Sequence, residues 1–229
     1  MSGAVFVDLD GAAADDAVVV IDVLRAFTTV PWALHRGAGR VLAVDTPERA
    51  FALREQHVPD AVLAGEQGGK PLDGFDLGNS PSDVATWDFA GRPFVHRTTA
   101  GTQGLVRCQD SPVLLAASFV TAAATARALR SARVSRVTYV VTGASLGRDG
   151  DEDLACAELI AARVAGNDPD PRPFLERVAC SDAGRTFGGD GPAWLPQIDV
   201  DLAREVDRFD VALFARPVIE LEAVELVGG

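Results

Sequence analysis

An α/β fold, a largely parallel sheet with helices on both faces, is predicted for this 229-residue chain by three observations. Short apolar runs rich in β-branched residues, AVVVI (17–21) above all, read as strands buried on both faces. Segments of helical length follow them, entered by Ser, Thr or Pro and left by Gly. Strand and helix also alternate along most of the chain, the order that gives parallel strands with right-handed crossovers. With 48% hydrophobic residues the chain can bury a large core.

Val5 to Leu9 predicts a first strand, and DGAAADDA leads into the central one. Asp22 and Arg25 follow the run AVVVI, so an acid and a cation stand at a strand's carboxyl edge, where ligands bind in open α/β sheets. A buried carboxylate there needs a cation, a metal or several donors. The residues alone leave two readings, a ligand site or a turn acid neutralised by its neighbour. A helix is predicted over 28–36, with Pro31 in its first turn and Gly37 past its end. RVLAVD (40–45) gives a strand, Thr46-Pro47 an N-cap and first helical residue, and 61–64 another strand.

GEQGGKPLDGFDLGNSP (65–81) has no regular period, and its Phe75 and Leu77 predict an ordered, functional loop. Glu66 is read as a site residue, Asn79 as site or turn, and Ser80 as the cap of a helix starting at Pro81. RPFVHRTTAGTQG then gives a strand with His96 facing the sheet surface, and a turn of small and hydroxyl residues into a helix near Gly101. Thr98, Thr99, Gly101 and Thr102 there are candidate anion-binding residues, with an ordinary strand-to-helix turn as the alternative. PVLLAA (112–117) is a strand. Ser118 caps an Ala-rich helix or touches a ligand. VTYVVT (137–142) is a strand ending at Gly143, another candidate contact. The helix that follows carries Asp151, Glu152 and Asp153 in its first turn, which suits the helix dipole, and Asp153 is read as the inward one, able to hold a cation. Residues 1–166 are expected to form the catalytic core. Residues 167–229 are expected to form an α+β extension that packs over the sheet or meets a second copy of the chain. Its last strand pair, with Glu220, Glu222 and Glu225, is read as an exposed edge.

Composition narrows the function. A net charge of −12 repels nucleic acid and anionic lipid. Three distant cysteines form neither a disulfide framework nor a zinc motif, which fits a reducing cytoplasm. The acidic start is unlike a signal peptide, and no apolar run is long enough to span a membrane.

The set IDVLRAFTT, LAGEQGG, GFDLGNSP, TTAGTQG and DEDLACA resembles the 2-phosphosulfolactate phosphatase family, in order and spacing, from about Val18 to Ala157. The resemblance implies a Mg²⁺-dependent phosphatase of small sulfonated phosphate esters, on the route to coenzyme M, in a distinctive α/β fold. It implies a site built from Asp22, Arg25, Glu66, Asn79, Thr98, Thr99, Gly101, Thr102 and Asp153. Asp22 and Glu66, helped by Asp153, are the expected metal ligands. Gln67, Ala100 and Thr121 stand where the family usually has Arg, Asn and Asn, and each removes a polar contact. VDLDG also resembles the nucleophile motif of haloacid-dehalogenase-type phosphatases, which would use Asp8 and Asp10. A non-enzymatic binder of an anionic metabolite is the third reading.

Overall fold

The computed structural model describes residues 3–229. In chain order the elements are β1 (Gly3–Asp8), β2 (Ala17–Ile21), α1 (Ala26–His35), β3 (Val41–Ala43), α2 (Pro47–Gln56), β4 (Val62–Gln67), β5 (Lys70–Pro71), α3 (Pro81–Thr86), β6 (Phe94–Arg97), α4 (Gly101–Arg107), β7 (Val113–Ala117), α5 (Ala122–Ala132), β8 (Arg136–Val141), α6 (Asp151–Val164), α7 (Arg172–Cys180), α8 (Gln197–Ala203), β9 (Leu213–Val218) and β10 (Ala223–Gly228). The strands form one sheet in the order β1-β8-β2-β7-β9-β10-β3-β6-β4-β5. It is an α/β sheet, as predicted. β2 is buried along its whole length, and its alternate residues feed different cores: Val18 and Val20 join α1 and α4 on one face, while Ala17, Val19 and Ile21 join α5 and α6 on the other.

The sheet consists of two parallel halves, β1-β8-β2-β7 and β3-β6-β4, which share no strand pairing with each other. The hairpin β9–β10 joins them, pairing antiparallel to β7 through β9 and to β3 through β10. This corrects the expected exposed edge and the boundary at residue 166, because the last strands lie in the middle of the sheet. Of the glutamates that suggested an edge, Glu225 lies within β10, opposite Leu42 and Arg216, and pairs with Arg40, while Glu222 in the turn before β10 pairs with Arg49. Among the described residues no helix is long and apolar enough to cross a membrane.

Local chemistry explains most of the boundaries. Thr46 accepts the Arg49 N–H and Ser80 the Asp83 N–H, as capping residues do. The 65–81 loop is ordered: Phe75 packs edge-on against Phe51, and Asp76 accepts the Leu63 N–H. Helix α1 starts two residues before the predicted position, so Pro31 lies inside it. A proline there cannot donate to the Phe27 carbonyl. The Ser118 hydroxyl donates to that carbonyl instead, at 3.0 Å across the core, and makes no cap on α5.

Two predictions follow from this geometry. A chain ending at residue 208 loses the hairpin and exposes the edges of β7 and β3; it should aggregate or melt without cooperativity, whereas a cooperative melt with native circular dichroism would contradict the central role of β9–β10. Ser118→Ala should lower stability by about 1–2 kcal/mol by leaving a buried carbonyl unpaired. In a Pro31→Ala background, where a backbone N–H is available to Phe27, the loss should shrink, and urea denaturation of the four-protein cycle measures the coupling.

Candidate active site

One cavity of about 300 Å³ opens at the carboxyl ends of the central strands, and Asp22, Arg25, Glu66, Asn79, Thr99, Gly143 and Asp153 all line it. Seven separate sequence signals thus converge on one place. The turn after β2 supplies Asp22, whose Oδ1 accepts the Ala26 N–H at the start of α1. Among the described residues no group donates to its Oδ2, against which Gly101 packs so closely that a Cβ would stand 2.6 Å away. Burial, reinforced by the charges of Glu66 and Glu152, pushes the Asp22 carboxyl up to about 6.

Glu66, at the end of β4, accepts the N–H groups of Thr99 (2.6 Å) and Gly69 (2.5 Å) and the Thr99 hydroxyl. It ties the 65–81 loop to the turn after β6. Asp153 accepts the N–H groups of Val23 and Gly143, each at 2.7 Å, and the Thr142 hydroxyl at 3.1 Å. Both of its oxygens are engaged, so it anchors the ends of β2 and β8 to α6 and offers little to a cation. Its carboxyl is raised well above the usual range by burial and by the neighbouring Glu152 and Asp22.

Glu152 is the inward acid that the sequence reading passed over. It is 2% exposed, its Oε2 has no hydrogen-bond partner, and burial raises its carboxyl. Gly143 is required beside it, since a Cβ would lie 2.4 Å from Glu152 Oε1. A signal was present: Glu152 begins the stripe Ala155, Cys156, Leu159 on the buried face of α6.

Arg25 is 3% exposed, and its Nη1 is fully engaged. Its Nη1 donates to the Trp194 carbonyl (2.7 Å) and to Asp199 (2.8 Å), and its guanidinium lies 5.4 Å from the centre of the Phe187 ring. Asp199, on α8, is wholly buried and also accepts from the Ser80 hydroxyl and from the N–H and hydroxyl of Ser82. Nothing local in the sequence marked Asp199, because its role depends on a partner 174 residues away. Ala183, Thr186, Phe187 and Leu195 complete the wall, so the supposed extension is part of the site. Asn79 is held through its Oδ1, 3.0 Å from His96 Nε2. His96 is fully buried rather than facing a surface, and burial with the nearby Arg25 charge lowers its pKa to about 3, so the ring is neutral. A neutral Nε2–H donating to Asn79 Oδ1 leaves the amide nitrogen as the group Asn79 can present to a ligand.

Three anion-binding candidates lie outside the cavity lining. Thr98 and Thr102 are buried and bond to each other, each hydroxyl accepting the other's N–H, and Gly101 is pressed on Asp22. The Thr98–Thr102 turn therefore closes on itself and on Glu66; of its residues Thr99 and Ala100 reach the cavity. The Asp8/Asp10 reading is also corrected. Asp8 accepts the Gly11 N–H in an exposed turn and Asp10 is almost fully exposed, and neither lines the cavity.

The donor set suits a hard dication: an unpartnered Glu152 oxygen, a free Asp22 oxygen and Glu66 surround a space where burial, and then neighbouring negative charge, disfavours the ionised forms of Asp22 and Glu152. Among the described residues no three His, Cys, Asp or Glu side chains are spaced as a preformed metal cage. The geometry fits an ion held by one or two carboxylates with water and ligand oxygens, the usual habit of Mg²⁺.

The family model described as 2-phosphosulpholactate phosphatase matches residues 7–187. Proteins named probable 2-phosphosulfolactate phosphatase are similar to the chain. One from Deinococcus radiodurans is 43% identical over 147 residues, 64% of this chain and 60% of that protein. One from Synechococcus sp. (strain RCC307) is 39% identical over 153 residues, 66% of this chain and 62% of that protein. One from Bacillus subtilis is 33% identical over 173 residues, 75% of each. The chain thus spans about three fifths of the length of the first two of these relatives.

The raised Asp22 carboxyl predicts a pH dependence for the metal-free protein. Because the folded state holds this proton up to about pH 6 and the unfolded state releases it near 3.8, stability falls as pH rises between those values and stays low above them. The loss amounts to roughly 3 kcal/mol. Asp22→Asn should remove it, so in EDTA the variant should be more stable than the wild type at pH 7.5 and equal to it near pH 3.8. Parallel stability curves for the two proteins would refute the assignment.

Proposed function

Since the chain belongs to the 2-phosphosulfolactate phosphatase family, we propose that it is a Mg²⁺-dependent phosphatase that hydrolyses a small phosphate monoester carrying a second acidic group, with 2-phosphosulfolactate as the reference substrate. The observation that carries this reading is the grouping of Asp22, Glu66 and Glu152 with Arg25, Arg148 and Asn79 around one small cavity. Asp22, flanked by Glu66 and Glu152, would hold the metal, and Asp153 orients the loop beneath it. Bound Mg²⁺ would offset the carboxylates and polarise the phosphoryl oxygens.

The chain's own groups prepare the rest. Arg25 is fixed by Asp199 and Trp194, so its remaining N–H groups keep a set direction toward a phosphoryl oxygen without reorganising. The Asn79 amide, oriented by His96, supplies a neutral donor. Leu24, Phe187 and Leu195 give an apolar wall that limits water around the ligand. Hydrolysis forms a bond from water oxygen to phosphorus, breaks the bond from phosphorus to the ester oxygen and places a proton on that oxygen.

Phosphate release from 2-phosphosulfolactate tests the reading directly. Chelation should abolish it and Mg²⁺ restore it, while Asp22→Asn should lower kcat at least about a hundredfold with the fold retained. Full turnover in EDTA after metal-free preparation, or a larger loss in Asp8→Asn than in Asp22→Asn, would overturn it.

A further inference from the structure

We propose that Arg148 is the specificity-determining residue of this site, binding the second acidic group, a carboxylate or sulfonate, of a phosphate ester; the proposal rests on the phosphatase reading of the same cavity. Four carboxylates line the cavity, Asp22, Glu66, Glu152 and Asp153, against two guanidiniums, Arg25 and Arg148. Arg25 is already balanced by Asp199, a buried acid outside the lining. Arg148 differs. Among the described residues it makes no ion pair or hydrogen bond, although its Nε is buried.

A buried guanidinium N–H without an acceptor is rare in a folded protein, and here the cavity is where an acceptor can arrive. The position of Arg148 is defined by its surroundings. It lies between Gly147 and Gly150, both with positive φ, and a Cβ on Gly150 would stand 2.3 Å from the Ala144 nitrogen, which fixes the path of the loop between β8 and α6. In the proposed reaction Arg25 takes the phosphoryl group, which leaves Arg148 as the second cation of the lining for the ligand's other acidic group. The guanidinium fork matches the paired oxygens of a carboxylate or sulfonate. A cavity of about 300 Å³ places the two acidic groups on one short skeleton. An uncharged ester would leave Arg148 unpaired, which gives selection against it.

The test uses the full chain with Mg²⁺ and two esters of like size, 2-phospholactate and isopropyl phosphate, the second lacking the acid. The quantity read is the ratio of their kcat/KM values. Arg148→Ala should lower that ratio about thirtyfold, and Arg148→Lys, which restores a point charge without the fork, should recover part of it. A ratio unchanged in Arg148→Ala, with thermal melts showing both variants folded, overturns the proposal, as does an equal loss on both esters. If the wild type hydrolyses neither ester, calorimetric titration decides the role of Arg148 separately, and the phosphatase reading itself fails if 2-phosphosulfolactate is not hydrolysed either. Tighter binding of 2-phospholactate than of inorganic phosphate, lost in Arg148→Ala, upholds it; no such preference in the wild type, or one retained in the variant, overturns it.

Discussion

Carboxylates taken out of water must meet N–H groups, hydroxyls or cations, and the carboxyl edge of this sheet is arranged around that requirement. Asp153 meets it with two backbone amides and a hydroxyl, Glu66 with two amides and a hydroxyl, and Asp199 with an arginine and the serines of α3. Each solution crosses from one element to another, so the loops that form the cavity are held by the charges buried in them. Asp22 and Glu152 meet the requirement only in part. The capacity of the site to act on a ligand lies in that remainder, because a group already satisfied by the protein has little to offer a substrate or an ion.

The same balance explains why the cavity wall extends past the matched span of residues 7–187. Arg25 stands on the turn after β2, yet its direction is set by the Trp194 carbonyl and by Asp199. A buried pair of this kind loses several kcal/mol if one partner is removed, since the other charge is left without compensation. Pro31 and Ser118 show the neutral form of the principle: a backbone donor missing in α1 is replaced by a hydroxyl that follows β7.

These long-range compensations mark the limit of what the sequence discloses. The strands of the parallel halves were legible because β-branched runs such as 17–21 carry their own signal, and Thr46 and Ser80 because capping is local. Asp22, Arg25 and Glu66 stood out as charges at the ends of apolar strands. Thr98 and Thr102 have the right chemistry for an anion, but whether a hydroxyl faces a ligand or its neighbour's N–H is decided by the packing of α4. Glu152 was masked by a general rule, that acids suit a helix N-terminus, which holds whether the side chain points to water or to a cavity. For the C-terminal strands the glutamates suggested an exposed edge, and nothing in them disclosed that the hairpin lies in the middle of the sheet.

That placement bears on how the protein comes into being. Ribosomes deliver residues in order, and β7 emerges long before the strand that will cover it, while β3 waits longer still for β10. Until residues beyond 213 clear the exit tunnel, the nascent chain carries two half-sheets whose facing edges, on β7 and β3, lie open. While those edges are open, neighbouring chains on one messenger lie close enough to pair edge to edge. Closure of the sheet waits for β9 and β10, and the pairing of Arg25 with Asp199 on α8 waits for the segment just before them. The cavity and the completed sheet thus arrive together, so that a chain without residues 194–228 has neither.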